Sequence, residues 1–350
     1  MPFSVRKILE NDPVEASAPC RIDAGGTWDI KAMALPFEAI RPVTVNMALN
    51  LRTRVTLSAF EDLRIKISSH GFSKGEVFAV DGLPLDSPFG LFFTAVSHFA
   101  FHGLEVQISS ESPVKSALGG SSTALVALIK ALDKINARLG QKERSPRDIL
   151  HLAYQLEDAA AGGNCGIQDQ GAATYGGVNL WTWHFGNPVS PFDRTVLLEN
   201  RELDTLSKHV IVAYSGESHV SSTTNRKWLK EFLSGETREG WLRVNEMVRD
   251  FSRKIQNREW SEAAHILQQE MALRKEITPE ALIPITQTLI QQAERAGCGA
   301  RFAGAGAGGT VWTIGNLEDI GRVRKAWENT LAPIKGAGVL RCRIDQTGVI

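Results

Sequence analysis

The chain has 350 residues, 43% of them hydrophobic, and its 39 Lys plus Arg balance 39 Asp plus Glu to a formal net charge of zero. A chain of this size buries a substantial core without staples, as one large domain or two closely packed ones. The charge balance supplies no global field to draw in nucleic acid or an anionic membrane, so any anionic ligand must be held by a local site.

The first twenty residues, MPFSVRKILENDPVEASAPC, mix acids, bases and three prolines. They lack the apolar core of roughly 7–15 residues that a secretory signal needs, so export is not expected. Next come three β-rich segments bounded by turn residues, at Val43 to Leu49, Arg54 to Phe60 and Ile65 to Ser68, which predict a mostly antiparallel start. An apolar helix follows near Leu91 to Phe101, too short and interrupted for the ~18 apolar residues of a membrane span. A strand is predicted over Leu104 to Ser109, and then a Gly/Ser loop opens into the helical run TALVALIKALDKINARLG with its stop at Gly140. The next helix has Ser145 as N-cap, Pro146 at its first position and Asp148 three residues after the cap, and it ends at Gly162 and Gly163.

The second half opens with a buried strand, His209 to Tyr214, and continues with three amphipathic helices between Ser221 and Gly297, the last starting at Pro279. A short strand at Ala300 to Ala303, a glycine loop, the strand TVWTI, a helix over Leu317 to Leu331 and a final strand VLRCRI complete the chain. This is an α+β pattern of the split-βαβ kind, with the domain boundary expected near residue 205.

Three glycine-containing segments carry the chemistry. In SPVKSALGGSSTALVALI a small-residue loop leads straight into a helix, whose first N–H groups and dipole make an anion cradle. Gly119 and Gly120 let a phosphate approach the main chain, and Ser121 and Ser122 add hydroxyls. No GxxxxGK[ST] sequence is present, which excludes a Walker-type loop. In APCRIDAGGTWDI, Arg21, Asp23 and Asp29 surround the turn Gly25-Gly26, with Trp28 beside it. Carboxylates accept hydrogen bonds from hydroxyls and an aromatic ring covers an apolar sugar face, so this set suits a polyhydroxylated ligand. FAGAGAGGTVWTI contains Gly304, Gly306, Gly308 and Gly309 and formally matches GxGxxG. A dinucleotide fingerprint must open a helix, whereas TVWTI is a strand, so a Rossmann oxidoreductase is rejected and a close backbone approach to a neighbouring loop is expected.

Taken in this order and spacing, the three segments resemble the motifs of the GHMP kinase superfamily, over Pro19 to Gly309. PCRIDAGGTWD is similar to the first motif of its fucokinase and heptose-phosphate kinase branch. The loop of that branch reads G-L-G-T-S-S, which Ala117-Leu118-Gly119-Gly120-Ser121-Ser122 matches without a gap, with Ala117 in place of a glycine and Gly120 in place of a hydroxyl residue. A fourth stretch, CGIQDQGAATYGG, resembles the G-x-Q-D-Q segment of sugar kinases.

The resemblance implies a GHMP kinase fold: a ribosomal-protein-S5-like N-terminal domain, residues 1–205, a ferredoxin-like C-terminal domain, residues 206–350, and an active site in the cleft between them. It implies ATP and Mg2+, with Asp169 as catalytic base and Arg21 pairing with it and keeping it ionised. Pro113, Lys115, Ser116, Ala117, Leu118, Gly119, Gly120, Ser121, Ser122 and Thr123 would bind ATP, and Ser121, ahead of Ser122, would hold the metal with Glu157. Asp23, Gly25, Gly26, Trp28, Asp29, Gly176 and Gly177 would contact the substrate, with the Gly304 to Gly309 loop nearby. The acids and Trp28 of the first motif favour a neutral polyol over a mevalonate-type carboxylate.

The reaction implied is phosphorylation of a sugar hydroxyl, the anomeric one in fucokinase-like and heptose-phosphate-like members. A phosphorylated heptose would need a further cationic pocket, and Arg52, Arg54, Lys227 and Arg301 are too dispersed in sequence to define it. A sugar sensor without turnover and an isoprenoid-pathway kinase are the competing readings. The four cysteines, Cys20, Cys165, Cys298 and Cys342, form no CxxC pair and the histidines show no metal-ligand spacing, so reduced thiols in a cytoplasmic protein, monomer or homodimer, are expected.

Overall fold

The computed structural model describes residues 3–72, 74–84, 86–187, 189–218 and 221–350, and the backbone alone for 221–223. A seven-stranded sheet carries the N-terminal half: β1 (Val14–Ala24), β2 (Val43–Ala59), β3 (Arg64–Ser69), β4 (Glu76–Ala79), β5 (Leu104–Ser110), β6 (Val178–Trp183) and β7 (Phe192–Val196). Its order is β4-β3-β5-β2-β6-β7, with β1 also pairing β2, and every pairing is antiparallel except β3 with β5.

The sequence predicts two strands where β2 forms one of 17 residues. The polar stretch Asn50 to Thr53 stays extended because it meets other chain on both sides. Opposite it the register with β1 shifts between Pro19, which pairs Arg52, and Cys20, which pairs Leu49, so the unpaired residues Asn50 and Leu51 lie on β2, and the shift falls at a proline that has no N–H to give to the ladder. Beyond it, the C-terminal tail docks.

The second sheet contains β8 (Val210–Tyr214), β9 (Gly299–Phe302), β10 (Thr310–Ile314) and β11 (Gly338–Val339), in the antiparallel order β9-β10-β8-β11 of a ferredoxin-like split βαβ. The helices are α1 (Gly90–His98), α2 (Gly120–Arg138), α3 (Pro146–Ala160), α4 (Gln168–Tyr175), α5 (Ser221–Ser234), α6 (Arg238–Gln256), α7 (Trp260–Ile277), α8 (Pro284–Arg295) and α9 (Leu317–Leu331), beside a nine-residue linking helix, Asn200–Lys208, in which the boundary expected near residue 205 falls, and shorter turns. The capping box at Ser145 and Asp148 forms as expected. Four helices, not three, lie between β8 and β9. Pro279 starts only a single 3-10 turn, because Ile283 precedes Pro284 and is held extended, so the helix begins afresh at Pro284.

Two buried clusters flank the first sheet. One, including Val55, Leu57, Ile67, Phe93, Val106, Leu125 and Leu128, lies under α1 and α2. The other runs without a break from Ile22, Val45, Met47 and Trp181 to Trp228, Trp241, Phe302 and Trp312, so both sheets share one core. Among the described residues no helix is long and apolar enough to cross a membrane.

The final strand is shorter than predicted. After Val339 the chain leaves the second sheet and crosses the first, where Asn50 N–H donates to Arg343 O (3.0 Å), Gly177 N–H to Asp345 O (2.7 Å) and Ile350 N–H to Ser17 O (3.0 Å). Arg52 clamps this tail: its guanidinium donates to Asp345 Oδ2 (2.6 Å), Thr347 O (3.1 Å) and Gly348 O (2.8 Å), and to Ser17 on the other side. Hydrogen bonds to a charged group contribute more than neutral ones, and removing Arg52 strands the largely buried Asp345. Arg52→Ala is expected to lower the unfolding free energy by about 2–4 kcal/mol. Urea denaturation checks this, and an unchanged midpoint would show that the tail is held without the arginine.

Candidate active site

β1 places Arg21 and Asp23 on one face of the sheet by its two-residue period, with Ile22 in the core between them. Arg21 is 4% exposed and makes four connections. Its backbone N–H donates to Leu118 O (3.1 Å). Its Nη1 donates to Ala117 O (2.6 Å), its Nε donates to Asp169 Oδ1 (2.7 Å), and Nη1 lies 3.7 Å from Asp23 Oδ1. Burial alone would push its guanidinium down, but the carboxylates of Asp169, Asp23 and Asp29 outweigh that and the net direction is up.

The loop before α2 is an amide nest. Lys115, Ala117 and Gly119 have φ of 55°, 64° and 78°, and Gly119 is the N-cap of a helix of 19 residues. Alternating left-handed residues turn successive N–H groups inward, and the dipole of α2 adds positive potential at the same place. A Cβ placed on Gly119 would sit 3.0 Å from Asp169 Oδ2, so the nest and the carboxylate are in contact. Asp169 occupies the first turn of α4, which is pinned by Asn46 Nδ2 donating to Gln168 O (2.9 Å) and Gln168 N–H donating to Asp29 Oδ2 (3.1 Å).

Glu157, on α3, accepts from Gln170 Nε2 (2.6 Å) and interacts with the Ser122 hydroxyl. Burial pushes its carboxyl up to about 7. Burial, and then the Asp169 charge, push Asp29 up to about 6. These groups line one cavity of about 730 Å³.

The cavity collects Arg21, Gly26, Asp29, Pro113, Lys115, Ser116, Ala117, Gly119, Gly120, Ser121, Ser122, Glu157, Asp169 and Gly304 from the sequence-derived set. Other members lie elsewhere. Trp28 is fully buried, edge-on to Phe37 and Phe232, with its Nε1 donating to Trp241 O (2.9 Å), so it serves the core and not a sugar face. Asp23 is 1% exposed, and both its oxygens are taken by Arg301 and the Gly304 N–H. Gly25 packs against Val248, and Gly176 and Gly177 receive the C-terminal tail. Leu118 is in the core, and Thr123 Oγ1 donates to Gly119 O (2.8 Å) inside α2.

Gly306, Gly308 and Gly309 lie against the main chain of Ala281, Ser218 and Ser116. That is the close backbone approach expected of the third segment, and only Gly304 and Ala305 reach the cavity from it. Of the serine pair, Ser122 is the one beside Glu157, whereas Ser121 is exposed; both line the cavity. Arg52, Arg54, Lys227 and Arg301 are engaged with Asp345, Glu15, Glu280 and Asp23, away from the cavity lining.

Sequence reasoning missed His70, Phe72, Phe92, Ser110 and Ser112, which line the cavity beyond the nest, and Asn225 of α5. They lie in no motif and are gathered by the pairing of β3 with β5, by α1, which carries Phe92, and by the packing of the second half. Gln168 was also missed, although it stands beside Asp169 in the fourth stretch; its buried Oε1 has no partner within the protein.

The fold and this cavity define an α+β protein with an anion nest opposed to a carboxylate. Two family models match the chain: GHMP kinases N terminal domain over residues 90–177 and GHMP kinases C terminal over residues 248–332. The chain belongs to the GHMP kinase family. A D-glycero-alpha-D-manno-heptose 7-phosphate kinase of Campylobacter jejuni is 32% identical over 181 residues, 49% of this chain and 51% of that protein, so the match spans about half the length of that relative. Galactokinase of Lactococcus lactis, solved with galactose, has the same fold with a TM-score of 0.75 at 17% identity, over 97% of this chain and 95% of that one. A D-glycero-D-manno-heptose 1-phosphate kinase from Bacteriodes thetaiotaomicron gives 0.69 at 19%, over 96% and 97%.

Two predictions follow from the geometry. Glu157 and Asp29 hold protons in the folded state that the unfolded chain, near 4.5 and 3.8, has already released. Between about pH 4.5 and 7 the folded state therefore binds more protons, and its stability falls as pH rises. Glu157→Gln should flatten that slope by roughly 1–3 kcal/mol over the interval, read from urea midpoints at each pH. At Ala117 the left-handed backbone carries a Cβ, so Ala117→Gly should raise stability by up to about 1 kcal/mol through relief of that strain, less the added unfolded-state entropy. A large loss of stability in the glycine variant would show that the Ala117 methyl group is needed for packing.

Proposed function

We propose that this chain is an ATP-dependent sugar kinase that transfers the γ-phosphate to a sugar hydroxyl, the anomeric hydroxyl of a fucose-like sugar or of a heptose, with or without a 7-phosphate. The observation that carries this is the contact between the Gly119 nest and Asp169 in one cavity, with Arg21 donating to Asp169 at 2.7 Å. Phosphoryl transfer needs little covalent chemistry from the protein; most of the rate comes from alignment and from neutralising charge. In this reading the N–H groups of the nest and of the first turn of α2 bind the terminal phosphates of ATP. Asp169 accepts the proton of the attacking hydroxyl late in transfer. Arg21 aims the carboxylate through the bond from its Nε. Asp29, Gly26 and Gln168 face the acceptor, and acceptors of hydrogen bonds suit hydroxyls.

Mg2+ fits the residues present. It takes one or two protein carboxylates and otherwise phosphate oxygens and waters. Glu157 offers a half-buried carboxyl next to the Ser122 hydroxyl, and that pair would hold the ion, which when bound offsets charge on the phosphates. We place the division between the two halves at residues 205–206, with the cavity between them and the tail returning across it.

Kinase homology, at 32% identity to a heptose 7-phosphate kinase and in the shared galactokinase fold, supports the acceptor class. The test is an ADP-release assay over fucose, mannose, galactose and heptoses with and without the 7-phosphate, on wild type and Asp169→Asn. General-base help is worth ~10²- to 10⁴-fold, so the variant should lose that much kcat while keeping its affinity for ATP by calorimetry. Wild-type turnover in the variant would remove Asp169 from the mechanism. Sugar binding without ADP release in the wild type would make the chain a sensor.

A further inference from the structure

We propose that Arg301 and Glu270 are positioning residues for the proposed phosphoryl transfer, acting through Asp23 on the Arg21–Asp169 pair; this rests on the kinase reading above. From the cavity inward the charges alternate in one row. Arg21 Nε lies 2.7 Å from Asp169 Oδ1 and its Nη1 3.7 Å from Asp23 Oδ1. Asp23 Oδ2 accepts from Arg301 Nη1 at 2.8 Å, and Arg301 Nε donates to Glu270 Oε2 at 3.0 Å and Oε1 at 3.2 Å. Glu270 is followed by Arg274 at 3.7 Å, which stacks on Trp228, Trp241 and Phe302. Behind Asp169 every member is at most 4% exposed.

The row crosses the molecule. Arg21 and Asp23 belong to the first sheet, Arg301 to β9 of the second, and Glu270 and Arg274 to α7. A buried ion pair adds little net stability compared with apolar packing of the same volume, because desolvation cancels most of the attraction. What it does supply is direction.

Two carboxylates compete for the single guanidinium of Arg21. Asp169 has the short contact and Asp23 the long one, because Asp23 is held back at both oxygens: Oδ2 by Arg301, and Oδ1 by the Gly304 N–H at 2.7 Å. Arg301 also donates to Asp23 O and Phe302 O, and Glu270 fixes the other edge of its fork. Loosening Arg301 frees Asp23 to turn toward Arg21 and draw it off Asp169. The base is then misaimed although no residue in the cavity has changed.

The experiment compares Arg301→Lys and Glu270→Gln with wild type, Arg21→Lys and the double variant R21K/R301K. A lysine keeps the charge but cannot span Asp23 and Glu270 with a rigid fork. R301K should lower kcat by about 10- to 100-fold, the scale of a lost positioning contact, with KM for ATP within about twofold. E270Q should move kcat in the same direction by less. R21K/R301K should be no slower than R21K, since the second change acts only through the first.

A readout without turnover is the Nε–H resonance of Arg21 in nitrogen-edited NMR, assigned by its loss in R21K. In R301K and E270Q it should shift and exchange faster with water as the bond to Asp169 loosens. Multiplying effects on kcat in the double variant, or an Arg21 resonance unmoved in both single variants, would overturn the proposal even if melting temperatures fall. If R301K does not fold, E270Q alone decides by the same two readouts. Failure of the kinase reading is separate: it shows as no ADP release by the wild type with any sugar of the panel, whereas the Arg21 resonance reports the row whatever the reaction.

Discussion

The Arg21 guanidinium is the joint on which the site depends. It is buried in the first sheet, yet it touches the nest through Ala117 O, the carboxylate of Asp169, and the neighbourhood of Asp23. Removing an ion from water costs several kcal/mol, while a partner at 4 Å returns about 4 kcal/mol at an effective dielectric of 20. One carboxylate would roughly break even. Two or three tip the balance toward a charged, fixed arginine, and this is why the first segment carries Asp23, an acid outside the cavity lining.

The same crowding has a cost on the acid side. Asp29 is buried and Glu157 half-buried, neither with a cation of its own, and both are pushed toward neutrality, to about 6 and about 7. Asp169 has Arg21 as its ion-pair partner and keeps 22% of its side chain exposed. Three carboxyls within one cavity are thereby placed in different electrostatic settings by burial and by a single guanidinium. A bound cation would reverse the setting of Glu157, coupling its proton to metal occupancy.

Much of this was legible in the sequence. The nest, the capping box at Ser145, the strand after the third glycine segment and the pairing of Arg21 with Asp169 follow local rules or a motif. What could not be read depends on contacts between distant segments. Trp28 reads as a sugar platform because an aromatic beside Gly-Gly is ambiguous; only the arrival of Phe37 and Phe232 makes it core. Gly176 and Gly177 read as substrate glycines because nothing local announces that the tail will lie on them. The Asn50 to Thr53 interruption reads as a turn because its polar residues are satisfied by chain distant in sequence, as in the Arg52 bonds to Ser17 and to Asp345, some 290 residues further on. His70, Phe72 and Asn225 carry no sequence signal, since sheet pairing and α5 packing bring them to the cavity.

The third glycine segment shows how the two halves are set against each other. A Cβ at Gly309 would be 2.6 Å from Ser116 O of the first half, and one at Gly308 would be 2.8 Å from Ser218 O of its own half. Both glycines are in the left-handed region, with φ of 74° and 119°, so the backbone shape and the lack of a side chain are required together. The second half therefore touches the nest main chain to main chain, with no flexible side chain to take up a shift. Gly304 completes the contact from the same segment, since its N–H fixes Asp23. Displacement of the second sheet relative to the first would thus be felt at the nest and at Asp23 at once, and through both at Arg21.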